Sequence, residues 1–397
     1  MVYKVIGLMS GSSLDGLDIA YVHLQERAAT SQLPKTWDFS LLHTACYPYP
    51  GDWKRRLAEA TALSALDYQL LDVEYGHYLG EQVSRFIEEF GLHYQVQLIV
   101  SHGHTTFHWP ARKMTAQLGD GAAIAAGTRI NVVNDLRAMD LALGGQGAPI
   151  VPIGEKLLLP GYEFFLNLGG IANVSRHGAA AGAGSLAAAG SNPGGISAAA
   201  GEAGSLAAAG TAQSFLAFDV CPANRILNAL AELEGRPYDK AGAMAATGRV
   251  DENLLRELNA LPYYALPSPK SLANEFGTET VLPLVRARGL STADALRTYV
   301  EHIAQQVGRA VGDGQQAGTR MLVTGGGAHN DFLVERLRHK LGMEVVVADD
   351  QLADYKEALI MALIGVLRWR EENNVMASVT GASRDSIGGA VWIGQEA

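Results

Sequence analysis

The first part of the chain alternates short apolar runs with polar turns. Strands are predicted at residues 3–9, 17–24, 38–47, 97–101 and 130–133, where apolar residues lie between glycine, serine and aspartate. Residues 63–90 instead carry apolar side chains at helical spacing, with Asp, Glu and Arg between them. Three strands in series, followed by helices that alternate with strands, predict an α/β domain.

The second part of the chain repeats this order with little sequence identity. Its predicted strands are residues 164–168, 171–175, 214–218, 321–324 and 344–348, and its predicted helices are residues 224–233, 293–311, 332–341 and 356–370. The repeat is therefore one of topology. A chain of 397 residues is also too long for one ordinary core and suits two domains. We predict two similar α/β domains, residues 1–160 and 161–397.

Residues 178–210 interrupt the second domain, because they are almost entirely Ala, Gly and Ser and contain AGSLAAAG twice. Such a segment has too little apolar surface to offset the entropy lost on ordering it. It lies between two predicted strands. We predict a flexible insertion at the end of a hairpin that is dispensable for chemistry; the alternative is a regulatory or partner-binding arm.

Composition and charge narrow the class of protein. A chain with 48% hydrophobic and 18% charged residues is typical of soluble globular proteins. The net charge of −10 argues against a nucleic-acid partner, since nucleic-acid binding needs a basic surface. Two cysteines, Cys46 and Cys221, fit a reducing compartment rather than a disulfide framework. The sequence has neither the pattern of a secretory signal nor an apolar run long enough for a bilayer, so we predict a cytoplasmic protein without a membrane partner.

The turn between the first two predicted strands, SGSSLDGLD, is the first candidate binding site. Glycines let the backbone come close to a ligand, and serine hydroxyls with free amides form an anion-binding nest. The two aspartates would repel a bare phosphate, so a phosphate here implies a divalent cation or a bridging water. The alternative is a tight hairpin whose Asp and Ser cap their own backbone. The candidate residues are Gly11, Ser12, Ser13, Leu14, Asp15, Gly16, Leu17 and Asp18.

Two further glycine turns follow predicted strands of the second domain. NLGGIANVS contains Gly169 and Gly170 at the matching topological place, and VTGGGAHN contains Gly325, Gly326 and Gly327 before a predicted helix. A glycine turn after a strand lets a flat ring or a phosphate approach the backbone and the helix N-terminus. The three turns together favour a nucleotide gripped from both sides of a cleft. The sequence contains no GxxxxGK[ST] P-loop, and no GxGxxG opens a helix after the first strand.

Polar side chains near strand ends add further candidates. Asp219 ends a predicted strand just before a helix, where a carboxylate acts either as a general base in a cleft or as a helix cap. Asp135, Arg137 and Asp140 lie near the glycine-rich stretch GGQGAP. A sugar site would use such carboxylates and amides, and a solvated loop would have the same composition.

Three histidines, His102, His104 and His108, lie within seven residues in SHGHTTFHW. No acidic residue stands among them, and Trp109 and Pro110 follow directly. Metal binding is therefore less favoured than hydrogen bonding to a substrate or a structural role. No metal ligands are predicted.

Taken together, these stretches resemble the anhydro-N-acetylmuramic acid kinase family over nearly the whole chain. The resemblance rests on GLMSGSSLDGLD, SHGHTTFHWP, LGDG, NDLRAMDLALGGQGAPIVP, NLGGIANVS, PYDKAGAMAATG, PKSLANEF, VTGGGAHN, KEAL and SVTGAS. Their order and combination are more specific than any single glycine turn. That family belongs to the actin, sugar-kinase and Hsp70 superfamily, so the resemblance implies two similar ribonuclease-H-like domains with a nucleotide cleft between them.

The resemblance also implies an activity. The family opens the 1,6-anhydro bond of its sugar with water and phosphorylates the released O6 from ATP with Mg²⁺, giving N-acetylmuramic acid 6-phosphate in peptidoglycan recycling. By the match of FDVCPAN to the family's FDTGPGN, Asp219 would activate the water, and Glu357 of KEAL would be an acidic residue of the cleft. The glycine turns would hold the nucleotide, with His102, Asp135 and Arg137 on the sugar side. The resemblance suggests a homodimer.

Two motifs depart from the family pattern. VCPAN replaces TGPGN, so that Cys221 and Ala223 stand in place of glycines and Val220 in place of a threonine. If either glycine takes positive φ, alanine there would cost about 1 kcal/mol or more and shift Asp219. His104 stands where the family has glutamine. Two alternatives remain: a related sugar kinase without ring opening, in which Asp219 deprotonates a sugar hydroxyl, and a nucleotide-binding sensor that has lost catalysis.

Overall fold

The computed structural model describes residues 1–11, 14–27, 35–177, 215–268, 270–273, 275–312 and 318–394. Ser12, Ser13 and the predicted insertion at residues 178–210 lie outside the described residues. The described chain is a mixed α/β structure, which confirms the predicted class. Its strands are β1 Val2–Ser10, β2 Gly16–Arg27, β3 Thr36–Pro48, β4 Leu98–Ser101, β5 His104–Trp109, β6 Met114–Leu118, β7 Asn131–Asn134, β8 Phe164–Leu168, β9 Ile171–His177, β10 Phe215–Pro222, β11 Arg320–Thr324, β12 Glu344–Val347 and β13 Ala390–Trp392.

Helices connect and cover these strands. They are α1 Gly51–Ala58, α2 Ala65–Glu89, α3 Gly121–Thr128, α4 Ala138–Ala142, α5 Pro152–Leu158, α6 Asn224–Ala231, α7 Ala243–Thr247, α8 Glu252–Asn259, α9 Leu282–Arg286, α10 Thr292–Val311, α11 Asp331–Lys340, α12 Asp350–Trp369 and α13 Ala377–Thr380. In the described part of the chain, no helix has both the length and the apolar character needed to cross a bilayer.

The two halves of the chain contain sheets of the same plan. In the first sheet the strands lie in the order β13-β7-β4-β1-β2-β3, with β1–β2 and β2–β3 antiparallel and β1–β4 and β4–β7 parallel. In the second sheet the order is β10-β9-β8-β11-β12, with β8–β9 and β9–β10 antiparallel and β8–β11 and β11–β12 parallel. Read from its other edge, the second sheet has the order β12-β11-β8-β9-β10. Apart from the added β13, this order matches β7-β4-β1-β2-β3 strand for strand. The predicted topological repeat is confirmed.

The end of the chain returns to the first sheet. β13 pairs antiparallel with β7, and α12 packs across β1, β2 and β4. Two glycines allow this close packing: a Cβ on Gly7 of β1 would lie 1.9 Å from the carbonyl oxygen of Ala358, and a Cβ on Gly365 would lie 2.1 Å from Val100 Cγ2. Helix α12 therefore lies directly on the sheet. The division of the chain at residue 160 stays a prediction.

A buried ion pair lies where α5, β9 and α12 meet. Lys356 Nζ lies 2.8 Å from Glu155 Oε1, and each side chain is 4% exposed. Ser175 of β9 donates a hydrogen bond to the other carboxylate oxygen. Burial alone would raise the pKa of Glu155, but Lys356, His177 and Ser175 lower it to about 2. Glu155 therefore remains charged, and its contacts join the second sheet to the helix that covers the first.

Candidate active site

The predicted phosphate-binding turn joins β1 to β2. The amide of Leu14, which has φ 56°, donates to the Gly11 carbonyl oxygen at 3.3 Å. Gly16 packs against β3, because a Cβ there would lie 2.7 Å from the carbonyl oxygen of Tyr47. Leu17 is 1% exposed and belongs to the core, so only its backbone is available to a ligand. The described end of the turn therefore packs closely against β3.

Acidic side chains gather beside this turn. Burial raises the pKa of Asp18 to about 6; a hydrogen bond with Cys46 lowers it, whereas Glu357, Asp354 and Asp15 raise it further. Burial also raises the pKa of Glu357. We call Asp15, Asp18, Asp354 and Glu357 the acidic cluster. It brings the predicted phosphate turn and the predicted Glu357 together, and it includes Asp354, for which the sequence gives no signal.

The acidic cluster fits a divalent cation only in company with a phosphate. Among the described residues, no group of three or more His, Cys, Asp or Glu side chains is arranged to hold a metal ion. Magnesium, however, usually keeps several waters and is bound by one or two carboxylates together with substrate phosphates. Asp18 and its neighbours match that partial donor set, with phosphate oxygens supplying the remaining ligands.

The sugar-side candidates His102 and Arg137 contact each other. Arg137 Nε donates to His102 Nε2 at 2.9 Å, and Arg137 Nη1 donates to the Gly147 carbonyl oxygen at 2.9 Å. Arginine only donates, so His102 carries its proton on Nδ1 and donates it to the Gly103 carbonyl oxygen at 2.9 Å. Burial and the charge of Arg137 lower the pKa of His102 to about 3, which keeps the ring neutral. The guanidinium also interacts with Glu357 of the acidic cluster.

The two aspartates beside Arg137 differ in availability. Asp135 has a left-handed φ of 52° and is exposed; partial desolvation raises its pKa, and a hydrogen bond from the Ala138 amide lowers it. Asp140 is fully buried and accepts from the Gly147 amide at 2.7 Å and from the Thr380 hydroxyl at 2.6 Å. Asp140 therefore fixes the GGQGAP loop, and Asp135 is the carboxylate that a ligand can reach.

The other two histidines of SHGHTTFHW have partners within the protein. His104 Nδ1 lies 3.2 Å from Ser10 Oγ, which accepts from the Tyr49 hydroxyl at 2.8 Å. Because Ser10 ends β1, this network lies directly behind the phosphate turn. His108 Nδ1 lies 3.2 Å from Thr115 Oγ1. His104, which stands where the family has glutamine, thus keeps a hydrogen-bonding role.

The NLGG turn of the second half lies at the start of α6. The amides of Ala223 and Asn224 donate to the carbonyl oxygens of Gly170 at 2.8 Å and Gly169 at 3.1 Å. Asn224 Nδ2 also donates to the Leu168 carbonyl oxygen at 2.9 Å. These bonds occupy the first amides of α6, so the turn and the helix form one unit.

The triple-glycine turn packs against this unit. Gly325 has φ 81°, and its amide donates at 2.9 Å to the Ala353 carbonyl oxygen of α12. A Cβ on Gly327 would lie 2.9 Å from Asn224 Oδ1, and one on Gly326 would lie 3.8 Å from Asn224 Nδ2. The two predicted glycine turns of the second half are therefore adjacent. The triple-glycine turn adjoins the end of α12 that carries Asp354 and Glu357 of the acidic cluster.

Asp219 lies near the end of β10, where the pairing with β9 shifts register immediately after it. Its Oδ2 accepts from the Leu272 amide at 2.9 Å and from the Ser271 hydroxyl at 3.2 Å. Burial raises the pKa of Asp219, while these two hydrogen bonds lower it. None of the carboxylates of the acidic cluster contributes to that shift. Asp219 is thus a half-buried carboxylate with the surroundings of a general base.

Neither replaced glycine of VCPAN stands at a position with positive φ. Ala223 has φ −125°, and Cys221 is not among the described residues with positive φ. Both residues are fully buried. Since neither position requires the left-handed region, the displacement of Asp219 that positive φ would have caused does not arise.

These groups together suit phosphoryl transfer to a hydroxyl. Backbone turns from both halves and an acidic cluster are of the kind that binds a nucleotide with a cation. A fixed arginine and a neutral histidine can bind a polar acceptor. A half-buried carboxylate can take a proton. The sequence predicts most of these side chains, but it assigns no role to Ser271 or to Cys46, because both act only through contacts between distant segments.

Comparison with known proteins places these motifs in a family. A family model described as anhydro-N-acetylmuramic acid kinase matches residues 3–188 and 177–394. A protein of that name from Methylobacterium nodulans is 34% identical over 406 residues, covering 97% of this chain and 98% of its own. One from Vibrio cholerae is 32% identical over 406 residues, covering 98% and 97%.

Two solved structures match most of the chain at low identity and with TM-scores below 0.5. The activator of the 2-hydroxyisocaproyl-CoA dehydratase from Clostridium difficile with bound ADPNP has a TM-score of 0.42 at 13% identity, covering 94% of this chain and 96% of its own. A hexokinase from Schistosoma mansoni complexed with glucose has a TM-score of 0.38 at 11% identity, covering 91% and 85%.

Proposed function

The chain belongs to the anhydro-N-acetylmuramic acid kinase family, and from that membership we propose a role for each part of its candidate site. The protein is a phosphotransferase that acts on anhydro-N-acetylmuramic acid. We propose that it opens the 1,6-anhydro bond with water and phosphorylates the released O6 from ATP. The product is N-acetylmuramic acid 6-phosphate, an intermediate of peptidoglycan recycling.

The proposed chemistry couples two transfers. Asp219 takes a proton from a water molecule as the water oxygen bonds to the anomeric carbon C1, and the bond between C1 and O6 breaks. The electron pair of that bond stays on O6, which bonds to the γ-phosphorus while the bond from phosphorus to the ADP oxygen breaks. One oxygen is first leaving group and then nucleophile, so the orientation of the sugar against the phosphate carries much of the catalysis.

The nucleotide in this proposal lies across the three glycine turns. Backbone groups of residues 11–18 and of Gly169 and Gly170 hold the phosphates, and residues 325–327 lie near the adenosine. Mg²⁺ bound to the phosphates would neutralise the charge that develops on the transferred group. Asp18 and Glu357 are the carboxylates proposed to face that cation. Burial raises both pKa values, and neighbouring carboxylates raise that of Asp18 further; a nearby cation would stabilise the charged form of each carboxylate.

The sugar in this proposal is held by Arg137, His102 and Asp135. Arg137 is fixed by His102 Nε2 and the Gly147 carbonyl oxygen, so its remaining donors keep one direction. A preorganised guanidinium loses little entropy on binding an oxygen-rich ligand. The neutral His102 orients the arginine without adding charge.

One observation carries the proposal most directly. Glu357 from α12 interacts electrostatically with Asp18 from β2 and with Arg137 from the segment after β7, although the three are far apart in sequence. Phosphoryl transfer requires the phosphate site and the acceptor site to adjoin, and Glu357 interacts with a candidate of each. The combination supports a kinase site better than any single motif does.

The test is product analysis by mass spectrometry after incubation with ATP, Mg²⁺ and 1,6-anhydro-N-acetylmuramic acid in ¹⁸O-water. The wild-type protein should give a phosphorylated sugar with one ¹⁸O, because the attacking water supplies one oxygen. Asp219→Asn should give none while still binding ATP, because the amide cannot take the proton.

Other outcomes would overturn parts of the proposal. A phosphorylated anhydro-sugar without added water would indicate a sugar kinase without ring opening. ATP binding without any product would indicate a nucleotide-binding sensor. Labelled product from Asp219→Asn at the wild-type rate would remove Asp219 from the role of base.

Three further features remain proposals. We propose a cytoplasmic location, which agrees with the chemistry of an ATP-dependent recycling enzyme, and Mg²⁺ as the working cation. A homodimer is the proposed assembly. Sedimentation at micromolar concentration, which reports the mass of the particle, tests the last of these.

A further inference from the structure

We propose that Ser271 is a positioning residue that holds the Asp219 carboxylate by one oxygen and so directs the other oxygen at the attacking water. The inference rests on the proposed role of Asp219 as the base. Ser271 belongs to PKSLANEF, a stretch to which the sequence assigns no chemistry. Three observations, on the carboxylate, the backbone and the strand, carry the proposal.

The first observation is the unequal use of the two carboxylate oxygens. Oδ2 of Asp219 accepts two hydrogen bonds, from the Leu272 amide at 2.9 Å and from the Ser271 hydroxyl at 3.2 Å. Among the described residues, no group donates a hydrogen bond to Oδ1 of Asp219. A carboxylate fixed by one oxygen cannot rotate freely about its last bond, so the other oxygen keeps a constant direction.

The second observation is a closed set of bonds around the Asp219 backbone. The Asp219 amide donates to the Lys270 carbonyl oxygen at 3.0 Å, and the Tyr263 hydroxyl donates to the Asp219 carbonyl oxygen at 2.6 Å. Lys270 Nζ in turn donates to the Tyr263 carbonyl oxygen at 3.0 Å and lies 4.5 Å from the centre of the Tyr263 ring. Residues 270–272 therefore hold both the main chain and the side chain of Asp219.

The third observation is the irregularity of β10. The pairing of β10 with β9 shifts between Asp219 and Cys221. Such bulges turn a side chain away from the regular alternation of a strand and recur beside active sites. Asp219 itself still pairs with Asn173, and the shift follows it at Val220, so residues 270–272 hold Asp219 at the point where the regular pairing of β10 is interrupted.

The charged and titratable groups facing Asp219 do not replace this constraint. They are Tyr263 from the turn after α8, Lys270 from the same segment as Ser271, and Cys221 from β10. Burial raises the pKa of Tyr263 and of Cys221, so both stay neutral where a carboxylate titrates. The Ser271 hydroxyl and the Leu272 amide are the two groups that lower the pKa of Asp219.

The experiment compares Ser271→Ala with Ser271→Thr, which keeps the hydroxyl, and with Ser268→Ala, a nearby exposed serine that does not contact Asp219. Ser271 is itself exposed, so each variant should fold. The readouts are kcat and KM for ATP and for the anhydro-sugar, and the dependence of kcat/KM on pH.

Loss of the hydroxyl should lower kcat by about ten-fold and leave the KM for ATP unchanged, because one charge-assisted hydrogen bond at the base is removed. The acidic limb of the pH profile should move to higher pH by about half a unit, since the bond that lowers the pKa of Asp219 is gone. Ser271→Thr should restore most of kcat, and Ser268→Ala should match the wild type.

The Asp219→Asn variant distinguishes a failure of the positioning role of Ser271 from a failure of the proposed function. If Asp219→Asn is inactive while Ser271→Ala keeps the wild-type kcat and pH profile, the positioning role is wrong and the base assignment stands. If Asp219→Asn is fully active, the proposed function itself is at fault. An equal loss of kcat in Ser271→Ala and Ser271→Thr, with an unshifted pH profile, would also overturn the role of the hydroxyl.

Discussion

At the scale of single residues, burial and neighbouring carboxylates in the acidic cluster disfavour the charged form of Asp18 in the protein without ligand. Asp18 is half-buried among Glu357, Asp354 and Asp15, and its pKa is raised from 3.8 to about 6. A carboxyl whose pKa is raised on folding binds more protons in the folded state than in the unfolded state. The free energy of unfolding contributed by Asp18 therefore falls as the pH rises from about 4 to about 6.

Asp18→Asn should make the free protein more stable at pH 7, by about 1–2 kcal/mol, because a shift of one pKa unit corresponds to about 1.4 kcal/mol. It should also flatten the fall in stability between pH 4 and pH 6 and weaken binding of the Mg²⁺ nucleotide. Urea unfolding across that range, with calorimetry of nucleotide binding, measures both. Glu81→Gln on the exposed face of α2 is the charge-matched control, and equal stability of Asp18→Asn and wild type would contradict the account.

The sequence identifies individual side chains better than it identifies their partners. Asp18, Arg137 and Glu357 are all predicted as site residues. The Arg137–His102 bond and the Ser271–Asp219 bond are not predicted, because each joins segments that only the folded chain brings together. The role of Asp140 is also revealed only by its buried partners.

At the scale of elements, the packing of α12 on the first sheet depends on the absence of side chains. Gly7 of β1 lies under the backbone of α12, so that a Cβ there would lie 1.9 Å from the Ala358 carbonyl oxygen. Backbone atoms cannot rotate out of the way as a flexible side chain can. Any larger residue must therefore lift the helix that carries Glu357.

Gly7→Ala should destabilise the protein by at least ~2 kcal/mol, because it overpacks a backbone contact. It should also lower activity through the displaced Glu357. Gly127→Ala is the matched control: Gly127 is exposed on α3, and a Cβ there would meet no atom within 4 Å. That change should be neutral or stabilise by up to about 1 kcal/mol. Thermal unfolding of both variants distinguishes local crowding from a general effect of alanine, and similar melting temperatures for the two would count against the close contact.

Elements with a clear pattern are predicted, and elements that depend on tertiary contacts are not. Predicted strands such as residues 164–168 match the structure, since runs of apolar residues specify buried strands. Helix α12 begins at Asp350, six residues before its predicted start, because Asp349 accepts from the Leu352 amide and caps it. The short β13 is missed, since three residues with one partner strand leave almost no periodic signal.

At the scale of the whole molecule, the insertion joins two residues that are already paired. Phe215 of β10 lies opposite His177 of β9 in the antiparallel register. The hairpin is therefore complete in the described residues on both sides of the insertion. A short turn would be enough to connect the two strands.

Replacing residues 178–214 by Asn-Gly should leave kcat and both KM values unchanged. Stability should be equal or higher, because each doubling of the length of a loop costs about 0.6 kcal/mol in closure entropy. Steady-state kinetics and urea unfolding of the shortened chain provide the measurement. A folded protein with lost activity would favour the alternative of a regulatory or partner-binding arm.

The return of α12 to the first sheet means that the backbone passes between the two sheets twice, once after α5 and once at the start of α12. Two covalent connections between the same two sheets restrict how the sheets can move relative to each other. They permit rotation about the line that joins them and oppose twisting or sliding. The buried Glu155–Lys356 pair links α5, which precedes the first connection, to α12, which follows the second. Separating the two connections would therefore leave a buried charge without its partner.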